Sequence, residues 1–565
     1  MTGRPLDQAR RAGPAVLFVL AVALYAPSAG NGFIYDDQKL IVAQPVARTT
    51  AGLFKVFTEK HWKYVPYYRP LPWLTLSVQK MLSGNRPWPF HLFNVLLAGW
   101  LAVMVHALLR LPAAGLGPRA ALWAAALVAF HPLTSSCVDP ISGREALMAA
   151  ILALAAVYGD LAGGRRGRLL SLVCFAAALL CREQALAVAG LFLLADGLGL
   201  SADPSGRDAK KWVRRHAPWA ALVLAYLLAR WSLLGAGGTP RLAVIRDPLG
   251  PVLSLFYALQ TISAPSAGLV YEPRVAVWFS VWRQGLWLAA ALVLLLAVRR
   301  GAGEPRRFLL FWGGWFVLAL LPTANLFDQE ARFAERHLLL ALVAVAAVAG
   351  RIGSSLRGRW LPRHLPVVAG LLVLAAAGTI SFQRAATFRD DPAFLGQWLR
   401  TDPRSAKAHE SLGSSFLRQG NLEEAISHLR QALALQDDLP MAHNNLGYAL
   451  RTMGRMDESA EQFRAALRIE PGMAEAHYNL GIVLAARGRV REAMSHYRRV
   501  LEIRPAYEWA ATHLNLALLL AAEGQTDAAR RHYQEALDEA VAAGDREVEE
   551  AARRGLTPGS GPPAS

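Results

Sequence analysis

The stretch NGFIYDDQKLIVAQPVARTTAGLFKVFTEKHWKYVPYYRPL, residues 31–71, follows the first apolar run of the chain. It opens with two adjacent carboxylates, Asp36 and Asp37, and it closes on Arg69 among tyrosines and prolines. Carboxylates are costly beside lipid, so a pair just outside an apolar span is typical of a solvated site or a partner contact. Long polar loops of this kind are also commonly functional. We therefore expect function in this loop and a scaffold in the spans that follow.

Composition divides the chain into a membrane part and a repeat part. Of 565 residues, 54% are hydrophobic and 18% charged, and the mean hydropathy is +0.26, which is too apolar for a soluble protein of this size. Apolar runs of roughly 16 to 20 residues recur as far as Phe382 and predict transmembrane helices. We expect a polytopic membrane domain at 1–385, with 31–90 as its first extracytoplasmic loop, an α-helical repeat domain at 386–545 and a disordered tail at 546–565.

Basic residues set the expected topology. Arg and Lys concentrate in alternate short loops, which the positive-inside rule places in the cytoplasm. Segment 248–270 contains two prolines; treating it as re-entrant or surface-lying keeps every dense basic loop on that side. The net charge of +18 then reflects orientation in a lipid bilayer, and no nucleic-acid partner is predicted. The eleven expected spans lie near 14–30, 91–109, 120–133, 146–162, 168–181, 184–199, 216–234, 285–299, 307–322, 337–352 and 365–382.

The second part repeats with the period of the tetratricopeptide motif. Gly420, Gly454 and Gly488 are evenly spaced, and an Ala-His pair and a Leu-Gly pair recur at the same interval of about 34 residues. Such repeats are paired helices that stack into an α-solenoid with a concave face. We expect that face to bind a protein or peptide, with Asn445 and Asn479 as peptide-binding residues, although a spacer or dimerisation arm fits the same pattern.

Asp36 and Asp37 are the predicted catalytic residues. A carboxylate beside basic groups can accept a proton from an attacking hydroxyl. The alternative is a helix cap or a turn at the membrane surface. Two adjacent carboxylates do not form the spaced pair that chelates a metal well, so a divalent metal is compatible with them but not indicated, and no cofactor is predicted.

A second group of polar residues lies at span ends on the same side as Asp36. Arg69 can bind phosphate through its planar fork, or it can snorkel at the interface. Residues 91 and 94 share a helix face and can line a cavity or join helices. An adjacent Arg and Glu more often form a local ion pair than a binding site. Three such pairs on one side of the membrane nevertheless favour an anionic ligand; they are Arg144-Glu145, Arg182-Glu183 and Glu335-Arg336. The residues predicted to bind the donor phosphate or substrate are Arg69, His91, Asn94, His131, Arg144, Arg182, Glu183 and Arg336.

Taken together, these segments resemble the TPR-containing protein O-mannosyltransferases of the animal endoplasmic reticulum and their bacterial relatives. The resemblance rests on FIYDD at 33–37, YRPL at 68–71, FHLFN at 90–94, HP at 131–132, ISGR at 141–144, LPTAN at 321–325, Glu335-Arg336 and the repeats. It implies the GT-C glycosyltransferase architecture and a polyprenyl-phosphate-sugar donor. It also implies a protein acceptor and a catalytic carboxylate at Asp36 or Asp37.

The chain departs from its relatives near the expected site. An acidic residue and a Trp commonly follow His-Pro in those proteins, whereas Ser135, Ser136 and Asp139 lie in this region here. Such differences bear on the donor sugar, for which mannose or a similar hexose is expected. Abundant Ala, Arg, Leu and Gly favour a bacterial gene, so we expect an inner-membrane protein with the Asp36 loop and the repeats in the periplasm. The competing hypothesis is a membrane-anchored repeat scaffold, or a transporter of lipid-linked glycans, without catalysis.

Overall fold

The chain folds into two compact helical units, Met1–Thr401 and Asp402–Ser565. They are described from a computed structural model that covers residues 4–34, 37, 41, 53–58, 68–206, 208–234, 261–262, 299, 303–321, 338–355, 364–503, 509–543 and 545–557. Over these residues the secondary structure consists of helices and turns, without a strand. The all-α class expected from the sequence is therefore confirmed.

The described part of the first unit is built from apolar helices. Proline begins several of them, as at Pro70, Pro118 and Pro132, where its missing N–H costs nothing and its fixed φ suits the first turn. The helices are α1 (Arg4–Tyr25), α2 (Pro70–Ser83), α3 (Trp88–Leu109), α4 (Pro118–Phe130), α5 (Pro132–Val138), α6 (Arg144–Ala162), α7 (Gly164–Cys181), α8 (Ala187–Gly197), α9 (Ala209–Leu234), α10 (Glu304–Leu320), α11 (Leu339–Ser355), α12 (Leu365–Thr387) and α13 (Asp391–Thr401).

Among the described residues of this unit, five helical segments are long and apolar enough to cross a membrane. They are Ala12–Gly30, Trp88–Leu109, Ile141–Ala162, Ala209–Leu234 and Leu365–Thr387, and a sixth span results if α4 and α5, bent by 55° at their junction, count as one. The chain is thus polytopic, as expected, but eleven spans are not confirmed. The expected span 285–299 and segment 248–270 lie outside the described residues, apart from 261–262 and 299.

Helix α3 occupies the centre of the unit and packs against α1, α4 and α6. Its side chains Val95, Leu101 and Val105 are fully buried. The α6–α7 hairpin is packed more tightly still, because a Cβ on Gly159 would lie 2.5 Å from the carbonyl oxygen of Gly167. These contacts bring the starts of α2, α3 and α6 and the end of α7 together at one end of the bundle.

The opposite end of the bundle is closed by a buried ion-pair cluster. Arg215 on α9 contacts the carboxylates of Asp160 on α6 and Asp196 on α8, and His216 Nε2 lies 3.1 Å from Asp196 Oδ2. All four side chains are buried. Because every charge there has a partner, we assign this end to scaffolding, and the candidate site lies at the other end.

The second unit consists of helix pairs in tandem. A glycine in each first helix admits a large residue from the second: a Cβ on Gly413, Gly447 or Gly481 would lie 2.6 to 2.8 Å from a side-chain atom of Leu429, Phe463 or Tyr497. The helices are α14 (Ala406–Arg418), α15 (Leu422–Leu435), α16 (Pro440–Thr452), α17 (Met456–Ile469), α18 (Ala474–Ala486), α19 (Val490–Ile503), α20 (Trp509–Ala522), α21 (Thr526–Ala543) and α22 (Arg546–Leu556). The expected solenoid is confirmed.

Two expected boundaries differ from the structure. The first unit ends at Thr401, because α13 belongs to it and buries Phe394 and Trp398. The tail expected to be disordered from 546 instead begins with α22, which Asp545 caps by accepting from the N–H of Val548. Helix α22 packs on α20 and α21, burying Ala552 and placing Leu556 against the repeat core, so a few apolar residues in a charged sequence fix its position.

Candidate active site

Asp37 is a fully buried carboxylate held by main-chain N–H groups. The N–H of Ser142 donates to its Oδ1 (2.8 Å), and the N–H of Ile141 donates to its Oδ2 (3.3 Å). The N–H of Ile34 lies 3.4 Å from the same Oδ2. Asp37 thus ties the start of the 31–71 loop to the turn between α5 and α6. Asp36, the other predicted catalytic residue, lies outside the described residues.

The turn that holds Asp37 spans residues 139–144, and we call it the Asp37 turn. It is tightly packed, because a Cβ on Gly143 would overlap the carbonyl oxygen of Cys137. Asn94 on α3 supports it from below: its Nδ2 donates to the carbonyls of Val138 (3.2 Å) and Pro140 (3.0 Å). The amide of Asn94 therefore holds the carbonyl side of the turn while the N–H side holds Asp37.

Arg144 begins α6 and is buried under the Asp37 turn. Its Nε donates to Oδ1 of Asn94 (3.1 Å), and its two terminal nitrogens donate to Thr75 Oγ1 (3.2 Å) and the carbonyl of Phe90 (2.9 Å). The guanidinium also lies 4.7 Å from the ring centroid of Phe93. These hydrogen bonds from Arg144 join α2 and α3 to the Asp37 turn.

The two predicted histidines also make structural contacts. Nε2 of His91 lies 3.1 Å from the carbonyl of Gly32, which fixes the chain just ahead of the loop. His131 caps α5 by accepting from the N–H of Leu133, and its Nε2 lies 2.8 Å from the carbonyl of Ile262. The structure brings His91, Asn94 and Arg144 together with Asp37, whereas His131 lies at the bend between α4 and α5.

A second polar group, the Arg69 cluster, consists of Arg69, Glu145, Arg182 and Glu183. Arg69 precedes α2 and makes a bidentate pair with Glu183, from Nε at 3.0 Å and from a terminal nitrogen at 2.5 Å. Its other terminal nitrogen lies 2.6 Å from Glu145, and Arg182 approaches the same carboxylate at 3.9 Å. Arg144 and Glu145 are adjacent in the chain, so this cluster directly adjoins the Asp37 turn.

Opposite charges balance within the Arg69 cluster. Burial would raise the pKa of Glu183, but the attached Arg69 guanidinium outweighs it and lowers the pKa to about 2. The arginines are almost fully buried, while the Glu183 side chain keeps 31% of its surface exposed. The two arginines therefore form a buried cationic floor, and the carboxylates lie between it and solvent.

Sequence reasoning missed an acidic residue in the Asp37 turn itself. Asp139 is fully buried, and Ser28 donates to its Oδ1 at 2.5 Å. Arg384 near the end of α12 donates to the carbonyl of Pro132 (2.9 Å) and lies close enough to act on the Asp139 charge. Burial raises the pKa of Asp139 to about 7, although Ser28 and Arg384 oppose that rise. The only available sequence signal was its closeness to the His-Pro pair.

In the repeat unit, the predicted peptide-binding asparagines form a ladder between neighbouring first helices. Asn445 Nδ2 donates to Ser414 Oγ (2.8 Å), and Asn479 Nδ2 donates to Asn444 Oδ1 (3.1 Å). Asn479 is 8% exposed, so most of its surface is used in repeat packing. Peptide binding by these residues stays a prediction.

The remaining predicted site residue, Arg336, lies outside the described residues. Within the described parts of the chain, no three His, Cys, Asp or Glu side chains group closely enough to hold a metal ion. The three cysteines, Cys137, Cys174 and Cys181, are buried free thiols.

Fold and site together define a polytopic helical membrane protein with a C-terminal tetratricopeptide unit. A model described as "Tetratricopeptide repeat" matches residues 444–508, and one described as "TPR repeat" matches residues 413–454. The solved structure titled "Crystal structure of YrrB: a TPR protein with an unusual peptide-binding site" has 20% sequence identity and a TM-score of 0.25. It covers 34% of this chain and 91% of its own.

Curated relatives cover both units. The mouse protein named "Protein O-mannosyl-transferase TMTC4" is 26% identical over 486 residues, which are 74% of this chain and 65% of that protein. The fruit-fly "Protein O-mannosyl-transferase Tmtc3" is 23% identical over 517 residues, covering 74% of this chain and 54% of that protein. The chain thus spans less than two thirds of the length of these relatives. The expected resemblance to TPR-containing protein O-mannosyltransferases is confirmed.

Proposed function

We propose that the protein is a membrane glycosyltransferase that moves a hexose from a polyprenyl-phosphate donor to a hydroxyl of a protein acceptor. The observation that carries the proposal is the joining of the Asp37 turn to the Arg69 cluster at one end of the bundle. It places a carboxylate-bearing loop beside a cationic floor, as transfer from a phosphate leaving group requires. The names of the relatives, which are protein O-mannosyl-transferases, support sugar transfer to a protein.

The two adjacent aspartates have separate roles in this proposal. Both oxygens of Asp37 accept main-chain N–H groups, so Asp37 is a positioning residue that fixes the loop. Asp36 is the general base, which removes the proton from the acceptor hydroxyl as the oxygen attacks the anomeric carbon. The bond from that carbon to the donor phosphate breaks, and the phosphate leaves as the lipid-linked anion. This division refines the sequence prediction, which gave catalysis to both residues.

The cationic floor of the Arg69 cluster receives the donor phosphate. Glu145 holds Arg69 through one oxygen, whereas Glu183 holds it through two, so Glu145 is the carboxylate that a phosphate displaces more easily. Arg182, only 3.9 Å from Glu145, then shares the phosphate charge. His91, Asn94 and Arg144 act through the Asp37 turn and not on the donor. The loop and the repeat unit face the extracytoplasmic side, where the repeats hold the acceptor near the site.

The test compares Asp36→Asn with Asp37→Asn in membranes supplied with a radiolabelled polyprenyl-phosphate mannose and an acceptor protein. Asp36→Asn is expected to lower transfer roughly 100-fold or more at an unchanged unfolding temperature, because the amide keeps the shape of the side chain and removes the base. Asp37→Asn is expected to lower both, because an amide nitrogen would oppose a main-chain N–H. Transfer at the wild-type rate by both variants would show that the catalytic assignment is wrong. Ser354→Ala, at an exposed position near the end of α11, is the control that leaves this site intact.

A further inference from the structure

The repeat unit contains a feature that peptide binding does not explain: paired histidines at one position of successive repeats. His409 on α14 meets His428 on α15, with their Nδ1 atoms 3.0 Å apart. His477 on α18 meets His496 on α19 at 2.8 Å, again between Nδ1 atoms. The third pair, on α20 and α21, is His513 and His532, also at 2.8 Å. We call each pair a histidine clamp, because it joins the two helices of one repeat.

Hydrogen bonds set the protonation of the first two clamps. Nε2 of His477 lies 3.1 Å from the carbonyl of Pro471, and Nε2 of His409 lies 3.4 Å from that of Pro403. A carbonyl only accepts, so Nε2 of the first histidine must carry the proton and its Nδ1 must carry the lone pair. The second histidine must then donate its own Nδ1–H. The first two clamps are therefore each one N–H···N bond between two neutral rings, and the third places the same two Nδ1 atoms at the same separation as the second.

Protonation of both rings would destroy that bond. Two N–H groups would then face each other within 3 Å, and in the doubly charged state two cations would share the helix interface. The surroundings of the clamps add to this repulsion. The charged groups acting on the second clamp are Arg499, Arg464 and Glu492, and those acting on the third are Arg498, Arg531 and Glu535. Cations outnumber carboxylates at both places.

We propose that the three histidine clamps make the repeat unit acid-sensitive, so that its helix pairs loosen when both rings of a clamp become protonated. Burial, first, and then the facing imidazole lower the pKa of His496 and of His513 to about 4. Because these values lie below that of a free imidazole, the unfolded chain takes up protons first as the pH falls. Clamp stability is therefore complete at neutral pH and is lost between about pH 6.5 and pH 4.

One repeat provides a natural control. His443 on α16 occupies the first position, but the second position on α17 is Gln462, whose side-chain oxygen site lies 2.8 Å from His443 Nδ1. Turned about its last bond, the amide presents an N–H to the lone pair of His443 Nδ1, and it takes up no proton in this pH range. Replacing His428, His496 and His532 by Gln therefore copies an arrangement that the fold already contains.

The experiment is hydrogen exchange of the full-length protein in lipid nanodiscs, with protection factors corrected for intrinsic exchange at pH 7.5 and pH 5.0. Wild-type protection in α18–α21 is expected to fall on the order of tenfold for each clamp, a value reduced for the partial exposure of the second histidines. His428→Gln/His496→Gln/His532→Gln is expected to keep its protection at pH 5.0. Gln462→His is expected to add acid sensitivity in α16–α17.

Equal acid-induced loss in the wild type and the triple Gln variant would overturn the proposal. If the triple variant is already unprotected at pH 7.5, Gln462→His decides: unchanged acid sensitivity in α16–α17 would overturn the proposal, and increased sensitivity would support it. The inference concerns the repeat unit alone and does not rest on the proposed transferase activity.

Discussion

Replacing Glu183 by Gln tests the Arg69 cluster most directly. The substitution keeps the shape of the side chain but removes the negative charge to which Arg69 donates two hydrogen bonds. The pKa of Glu183 falls from the ordinary 4.5 to about 2, and a shift of that size corresponds to about 3 kcal/mol at neutral pH. Breaking a buried pair by removing one partner costs a similar amount, roughly 3 to 5 kcal/mol.

The free thiols provide the assay. Cys137, Cys174 and Cys181 are buried in the first unit, so a thiol-reactive fluorogenic dye reports unfolding of that unit alone. A loss of about 3 kcal/mol in a unit of 401 residues is expected to lower its unfolding temperature by roughly 4 °C. The matched control is Glu304→Gln, which breaks the exposed pair with Arg351 in the same unit and is expected to change stability by less than about 0.5 kcal/mol.

The pH dependence of this stability difference tests whether the ion pair causes it. A depressed carboxyl pKa contributes stability above about 4.5, and that contribution is lost as the pH falls toward 2. The difference between wild type and Glu183→Gln, followed by tryptophan fluorescence, is expected to shrink to about 1.4 kcal/mol at pH 3. A difference that is absent at pH 7, or that does not shrink on acidification, would refute the ion-pair reasoning.

Three further predictions follow from packing, burial and topology. Gly447→Ala is expected to lower the free energy of unfolding of the repeat unit by about 1–3 kcal/mol, because the new methyl would lie 2.8 Å from the Phe463 ring. Gly472→Ala is the control, because nothing lies within 4 Å of the new methyl, and denaturant unfolding measures both variants. Because the pKa of Asp139 is raised, the free energy of unfolding of the wild type is expected to fall as the pH rises through about 7. Asp139→Asn is expected to remove roughly 1.4 kcal/mol of that fall between pH 6 and pH 8, as measured by thermal unfolding. Alkaline phosphatase fused after Gln383 is expected to be active, whereas activity of a cytoplasmic fluorescent reporter there would place the repeats in the cytosol.

Periodic features were predictable from the sequence because each residue repeats one physical role. The helix-packing glycines of the repeats and the apolar spans such as Trp88–Leu109 follow from spacing and hydropathy alone. The convergence of Arg69, Arg182 and Glu183 at one end also followed, because the positive-inside rule places all three on one side. The structure shows that these residues meet in one cluster.

The roles of individual polar residues were not predictable in the same way. Asn94 and Arg144 were expected to face the donor, yet both are used on main-chain carbonyls and on each other. A sequence gives the type of a side chain but not the main-chain groups that compete for it. Asp139 was missed for a related reason, since its importance comes from burial between Ser28 and Arg384, which are far away in the chain.

Because main-chain N–H groups hold Asp37, the residues that supply them are constrained differently from Asp37 itself during evolution. Any residue except proline carries an N–H, so the side chain at position 142 is free to change while the carboxylate stays held. Ile141 is buried against Leu76 and Phe90, so packing restricts its side chain although Asp37 does not. The crowded Gly143 is not free either, because any side chain would collide with the backbone at Cys137. Distant proteins with the same site would therefore share the glycine and the aspartate, and they would differ at position 142.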